Sequence, residues 1–169
     1  MTGISMSNRL MALIFGLALG LSAVIAPAQE MGVTFGGLKA DTSLPVEVKA
    51  DTLAVDQVSG QASFTGNVLV VQGEMRLSAD EVRVEYAKEA GKIARLHAKG
   101  KVLLVNATDA AEASEAVYTI DTGEVVMTGS VLLTQGQAAI RGQKLVIDLK
   151  SGTGRMEGGV TTTFVPGGN

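Results

Sequence analysis

From Val46 onward, apolar and polar residues alternate with a period of two. Leu53 and Val55 share one parity. Ala62, Phe64, Val68 and Val70 form the next run, with Gly66 between them, and Val82, Val84 and Tyr86 follow. Leu96, Ala98, Val102 and Leu104 come next, then Ala116, Tyr118 and Ile120. Val125, Met127, Val131 and Leu133 precede a last series of Leu145, Ile147 and Leu149. Alternation with polar partners predicts half-buried antiparallel strands. Turn signals separate the runs at Ser59-Gly60, Gln72-Gly73, Gly91, Thr122-Gly123, Gln135-Gly136 and Ser151-Gly152. The runs between turns are about 11–14 residues long, against roughly 5–6 for an ordinary strand.

Two repeats underlie the alternation. The stretch Ala50 to Leu77 recurs 63 residues later as Ala113 to Ile140, with Gly60 on Gly123, Gly66 on Gly129 and Val68 on Val131. Such self-similarity marks a repeated β architecture. Within it, alternating segments open on the small residues Ala50, Ala79, Ala113 and Gly142. Gly-x-Val segments begin at Gly66, Gly100, Gly129 and Gly158. The steps between these eight positions are 16, 13, 21, 13, 16, 13 and 16. The single step of 21 is an insertion of five residues, assigned to the loop near Ala87 to Gly91.

A small residue therefore stands near the middle of each long run, and glycine inside a strand marks a bend or corner. Each run is expected to bend there and pass from one sheet to a second. The result is all-β: two facing antiparallel sheets wound from repeated hairpins, as in an elongated open jelly roll or solenoid. A compact sandwich has the same strands, and periodicity alone does not separate the two. Thr108 to Val117 has helical propensity from its Ala and Glu, yet the repeat places it on a strand, and the repeat is the stronger argument. Pro45 and Pro166 bracket a stretch without proline, as uninterrupted pairing requires.

The N-terminus follows different rules. Arg9 is the only charge before residue 29, the apolar run Leu10 to Ile25 follows it, and Ala26-Pro27-Ala28 supplies a cleavage site. Residues 1–28 therefore read as a cleaved signal peptide, with an uncleaved anchor as the rival. Removing those 28 of the 169 residues leaves 141, which suits one domain. Residues 29–43 are Gly-rich and weakly patterned and read as a flexible lead-in with room for one short strand. Without Arg9 the chain has 13 basic and 17 acidic residues, a net charge of −4, so nothing suggests a nucleic-acid partner. Cysteine is absent, so core packing and backbone ladders must hold the fold.

Catalytic chemistry finds little support. His97 is the only histidine and lies on the polar parity of a strand. A zinc site or an acyl-transfer triad needs more such groups. Gly91-Lys92 and Gly100-Lys101 lack the Ser or Thr that a phosphate-cradling loop places next. The reading is of a non-enzyme without metal or cofactor. The ladder Arg95, His97, Lys99, Lys101 shares one polar face. Cross-strand pairing with Glu81 and Glu85 accounts for it; contact of Lys99 and Lys101 with a phosphorylated ligand is the functional alternative.

The apolar parity carries the sharper hypothesis. Full burial of one such side chain is worth roughly 1.5–3 kcal/mol, so the two sheets can close on each other as a core. They can also splay and leave an apolar trough for a lipid or acyl chain. Both readings stay open on the pattern alone. In the second, the lining is Leu53, Val55, Phe64, Val68, Val70, Val82, Val84, Tyr86, Val102, Tyr118, Met127, Val131, Leu133, Leu145 and Ile147. An unclosed sheet also leaves terminal edges with unpaired backbone groups, and these invite head-to-tail strand addition.

These residues resemble a known family. ADTLAVDQVSGQASFTGNVLVVQGEMRLSADEVRVEY, then GKIARLHAKGKVLL, then GEVVMTGSVLLTQG and IRGQKLVIDLKSGTGRMEGGV, are similar to the LptA/OstA family of periplasmic lipopolysaccharide-transport proteins. The resemblance covers residues 44–165, taken as one OstA-like domain, and leaves 166–169 as a tail. It implies an open β-jelly roll of V-shaped section whose interior holds the acyl chains of lipid A. It also implies periplasmic location, end-to-end assembly, and pairing with LptC-like and LptD-like domains through terminal edge strands. No catalysis and no cofactor belong to it. The short Gly-rich stretch after Phe164 departs from the family and leaves the joining mode at that end open. An anchored LptC-like component, should the apolar N-terminus be retained, and a self-assembling β-solenoid that binds no lipid are the competing readings.

Overall fold

The computed structural model describes residues 33–34, 36–88 and 91–164. The expected signal peptide (1–28) and tail (166–169) lie outside them. The alternating runs form β2 (Glu47–Lys49), β3 (Thr52–Asp56), β4 (Gln61–Gln72), β5 (Met75–Tyr86), β6 (Ile93–Asn106), β7 (Asp109–Thr119), β8 (Glu124–Gln135), β9 (Ala138–Asp148), β10 (Thr153–Glu157) and β11 (Thr161–Phe164). A two-residue strand, β1 (Val33–Thr34), precedes them. All pairings are antiparallel and, apart from β1 on β10, join consecutive runs, in the order β1-β10-β9-β8-β7-β6-β5-β4-β2, with β3 also on β4 and β11 also on β9. The segment with helical propensity is strand β7. There the two-residue period and pairing on both sides override the Ala and Glu preference. The inserted residues fall between β5 and β6, where Ala87 N–H donates to Lys92 O at 2.8 Å.

The register slips near the middle of each long pair, at a small residue, and β5–β6 slips a second time between Glu85 and Tyr86. Between β4 and β5 the ladder jumps from Thr65↔Glu81 to Val68↔Ala79. The same happens between Lys99 and Val102 on β6 and between Thr128 and Val131 on β8. At these three slips two residues face one, and at the mid-strand slips of β5–β6 and β7–β8 three face two. The extra residue is a β-bulge, and a bulge bends its strand. The bulges align into one seam that divides the sheet into two walls. Wall one holds the segments 61–65, 81–86, 93–99, 115–119, 124–128 and 144–148, flanked by β3 and β10. Wall two holds 68–72, 75–79, 102–106, 109–113, 131–135 and 138–142, flanked by β2 and β11. The strands β2 and β3 are thus one run bent near Ala50, and β10 and β11 one run bent at Gly158. The fold is the open, elongated jelly roll expected, its strands continuous from wall to wall only along the seam.

The seam explains why its glycines are glycines. Gly66, Gly100, Gly129 and Gly158 have φ of 79°, 77°, 86° and 84°, a region that costs other residues roughly 1–2 kcal/mol. Each also lies under a side chain from the neighbouring run. A Cβ on these four would stand 2.5 Å from Asp51 Oδ2, 2.5 Å from Asp80 Oδ2, 2.7 Å from Ser114 Cβ and 2.7 Å from Gln143 Cβ respectively. Asp51 N–H donates to Gly66 O at 2.9 Å, and its carboxylate accepts from Asn67 Nδ2 at 2.8 Å. Ser114 Oγ donates to Gly129 O at 3.0 Å. The spacing of small residues in the sequence is the spacing of these corners.

Candidate functional site: the interior between the walls and its rims

The inward parity of both walls meets in one apolar interior. Val68, Val70, Val82, Val84, Val102, Tyr118, Met127, Val131, Leu133, Leu145 and Ile147 are each at most 1% exposed. Phe64 is partly buried and packs against this core. Beyond it the lining is uncovered: Leu53 is 55%, Val55 64% and Tyr86 45% exposed. Wall one ends here in β3, whose five residues are all exposed, whereas wall two ends in the three-residue β2. The inner face of wall one here presents the exposed Leu53 and Val55, opposite Phe64 and Ala62 in the ladder. At the other end β11 is exposed throughout, with Phe164 at 72%.

The side opposite the seam is where an open V needs covering, and residues 37–44 cover it. Sequence reading makes residues 37–43 part of a flexible lead-in. Here the segment is a strap tied to both rims. Asn106, the last residue of β6, donates from Nδ2 to Gly37 O and Lys39 O, each at 2.7 Å. Gln72, the last residue of β4, donates from Nε2 to Thr42 O at 3.0 Å and Leu44 O at 2.8 Å. Both belong to wall two. On the rim of wall one, Leu149 O accepts from Ala40 N–H at 2.8 Å. Leu38 is fully buried in the core. Upstream, β1 lies on β10 at Val33↔Gly154, so the lead-in passes from the last run of wall one to β2 on wall two.

A buried bond also ties wall to wall. Tyr118 on β7 donates its hydroxyl to Gln72 Oε1 at 2.7 Å. Burial pushes the Tyr118 phenol up to about 12, against a smaller opposing effect of that bond. Asp109 is 2% exposed and accepts from Gln135 Nε2 at 3.0 Å. Asn106 Oδ1 is buried without a hydrogen-bond partner. These polar residues occupy inward positions at the strand ends. Sequence reading took Gln72 and Gln135 only as turn signals; the sign it passed over is their shared parity with the buried Val70 and Leu133.

The basic ladder lies on the outer face. Lys99 pairs with Glu115 at 3.5 Å, Lys101 with Asp80 at 3.9 Å, and Arg95 and His97 with Glu85 at 3.5 and 3.2 Å. All these groups are well exposed, so the pairs contribute little to stability. Lys99 and Lys101 reach a phosphate only outside the interior and in competition with Glu115 and Asp80. Among the described residues there is no group of three or more His, Cys, Asp or Glu able to hold a metal ion, and no helix is long and apolar enough to cross a membrane.

A family model described as LptA/(LptD N-terminal domain) LPS transport protein matches residues 47–153. The lipopolysaccharide export system protein LptA of Escherichia coli (strain K12) is 30% identical over 169 residues, spanning 89% of this chain and 84% of its own length. The LPS-assembly protein LptD of Pseudomonas putida is 30% identical over 132 residues, 74% of this chain and 13% of that protein. Among solved structures, LptH of Pseudomonas aeruginosa, described as the LptA homologous periplasmic component of a lipopolysaccharide transport device, has the same fold. It matches with a TM-score of 0.67 at 19% identity, over 75% of this chain and 99% of that one.

Proposed function

The chain belongs to the LptA/LptD N-terminal-domain family of lipopolysaccharide transport proteins, and from that membership we propose that it carries lipopolysaccharide in the periplasm with the acyl chains held between its two walls. The supporting observation is the continuity of the apolar interior with the uncovered inner face of β3. Leu53 and Val55 offer a loading surface, and Val68, Val82, Met127, Val131 and Leu145 line the depth behind it. Transfer of an intact lipid breaks no covalent bond, so the carrier needs no catalytic group and no cofactor. Export by cleavage after Ala28 is part of the same proposal.

The ends suit assembly. The β2–β3 run ends the sheet on one side, and β1 on wall one with β11 on wall two end it on the other; the β2–β3 and β11 edges offer backbone groups for strand addition. We propose head-to-tail association of copies, and pairing of the terminal strands with LptC-like and LptD-like domains. Light scattering tests self-association: average mass should rise with concentration. Replacing Leu53 and Val55 with Lys, both exposed and so cheap to change, should hold the protein monomeric. A wild-type mass that stays monomeric at every concentration removes this half of the proposal.

The closed packing of the interior favours a second reading, a structural β-solenoid that binds no lipid. Photo-crosslinkers at Phe64 and Val131 separate the two in cells making lipopolysaccharide. Adducts at both support the carrier; their absence at every inward position leaves the scaffold.

A further inference from the structure

We propose that the carboxamides of Gln72 and Asn106 form a binding site for the amide or ester linkages of a lipid's acyl chains, and that residues 37–44 occupy this site as a built-in substitute in the empty protein. The inference rests on the carrier function proposed above and names its polar contact.

Three observations carry it. The two amide groups spend all four of their N–H bonds on strap carbonyls: Gly37 and Lys39 for Asn106, Thr42 and Leu44 for Gln72. Between those carbonyls the strap inserts Leu38, fully buried in the core. A carbonyl beside an aliphatic group is what an acyl amide or ester also presents. Next, Asn106 Oδ1 is buried and unpartnered. Nothing in the strap donates to it, whereas an amide N–H or a 3-hydroxyl on an acyl chain would. Finally, Tyr118 fixes the orientation of the Gln72 amide through Oε1, so Nε2 faces the strap whether or not the strap is there. A leucine side chain matches about two to four methylenes in buried apolar worth, so one long acyl chain outweighs Leu38 for the interior.

The experiment compares two probes with the mature chain: N-(3-hydroxytetradecanoyl)glucosamine, and the tetradecyl glucoside of equal chain length without carbonyl or amide. Wild type should prefer the N-acyl probe about tenfold, the worth of one well-made hydrogen bond. Asn106→Leu should erase that preference while still binding the alkyl probe. Equal binding of both probes by wild type overturns the inference and leaves the carrier standing; failure to bind either probe removes both.

A lock tests the exchange itself. A Cβ on Gly37 would lie 2.6 Å from Asp109 Cγ, and the chain has no other cysteine. The variant Gly37→Cys with Asp109→Cys should bind the N-acyl probe at least tenfold more weakly when oxidised than when reduced. Equal affinity in the two states shows that the strap need not move, and the proposal fails.

Discussion

The seam between the walls can be tested with one methyl group placed at two glycines. Gly129 and Gly136 both have positive φ, 86° and 55°. Alanine at either costs about 1 kcal/mol or somewhat more for the left-handed backbone. Their surroundings differ. At Gly136 a Cβ meets nothing within 4 Å, whereas at Gly129 it meets Ser114 Cβ and Oγ, both at 2.7 Å. Relieving that overlap means moving Ser114 on a paired strand, an overpacking cost of about 1–3 kcal/mol. Gly129→Ala should therefore destabilise by about 2–4 kcal/mol and Gly136→Ala by about 1. Urea unfolding with a common m-value gives the difference. Adding Ser114→Gly removes the offending Cβ and leaves Ser114 Cα, at 3.7 Å, as the nearest atom. The double variant should then recover about 1–3 kcal/mol of coupling in a double-mutant cycle. Equal costs for the two alanines, or no coupling, would refute the idea that the corners are specified by close approach as well as by φ.

Two further expectations concern polar groups. Tyr118→Phe leaves Gln72 Oε1 buried without its donor and should cost about 1–3 kcal/mol by thermal or urea unfolding. In wild type the Tyr118 phenol is raised to about 12. Its contribution is thus complete below the unfolded value of about 10 and is lost as pH rises from there through 12. Tyr118→Phe should flatten that part of the stability profile. At the rim turns, Asp56 accepts from the N–H groups of Val58 and Ser59, and Asp148 from those of Lys150 and Ser151. Hydrogen bonds hold both carboxyls below their ordinary 3.8, that of Asp56 chiefly through Ser59 and that of Asp148 through Ser151. The stability they give is present above that value and falls away as pH drops below it. Asp56→Asn with Asp148→Asn should lessen the acid sensitivity, read as the pH midpoint of unfolding.

Some features were legible in the chain because they are recorded where they act. A positive φ and a close approach both demand glycine, so Gly66, Gly100, Gly129 and Gly158 mark the corners in the sequence itself. The inward parity was legible for a similar reason, since alternation assigns a side chain to a face. It does not measure the distance to the opposite face, and so left core and trough undecided. The strap was hidden. Residues 37–44 have no period, and what holds them lies at the ends of β4 and β6, 28 to 69 residues away. A Gln before a Gly reads as a turn, and only the packed structure reveals that Gln72 also faces inward.

The hidden element reconciles a sealed interior with a carrier. An unfilled trough would leave more than ten large side chains in water, each forfeiting roughly 1.5–3 kcal/mol, more than the stability of an ordinary domain. A carrier built on this sheet must therefore close when empty. Wall-to-wall packing, the Tyr118–Gln72 bond and the inserted Leu38 do so with groups that can all be exchanged. One Leu side chain is offset by a few methylenes at about 0.8 kcal/mol each. The strap's four carbonyls are held by amides that recognise carbonyls of any source. On the carrier reading proposed above, closure of this kind would yield to an acyl chain, and the low exposure of the interior is what the empty state of such a carrier requires.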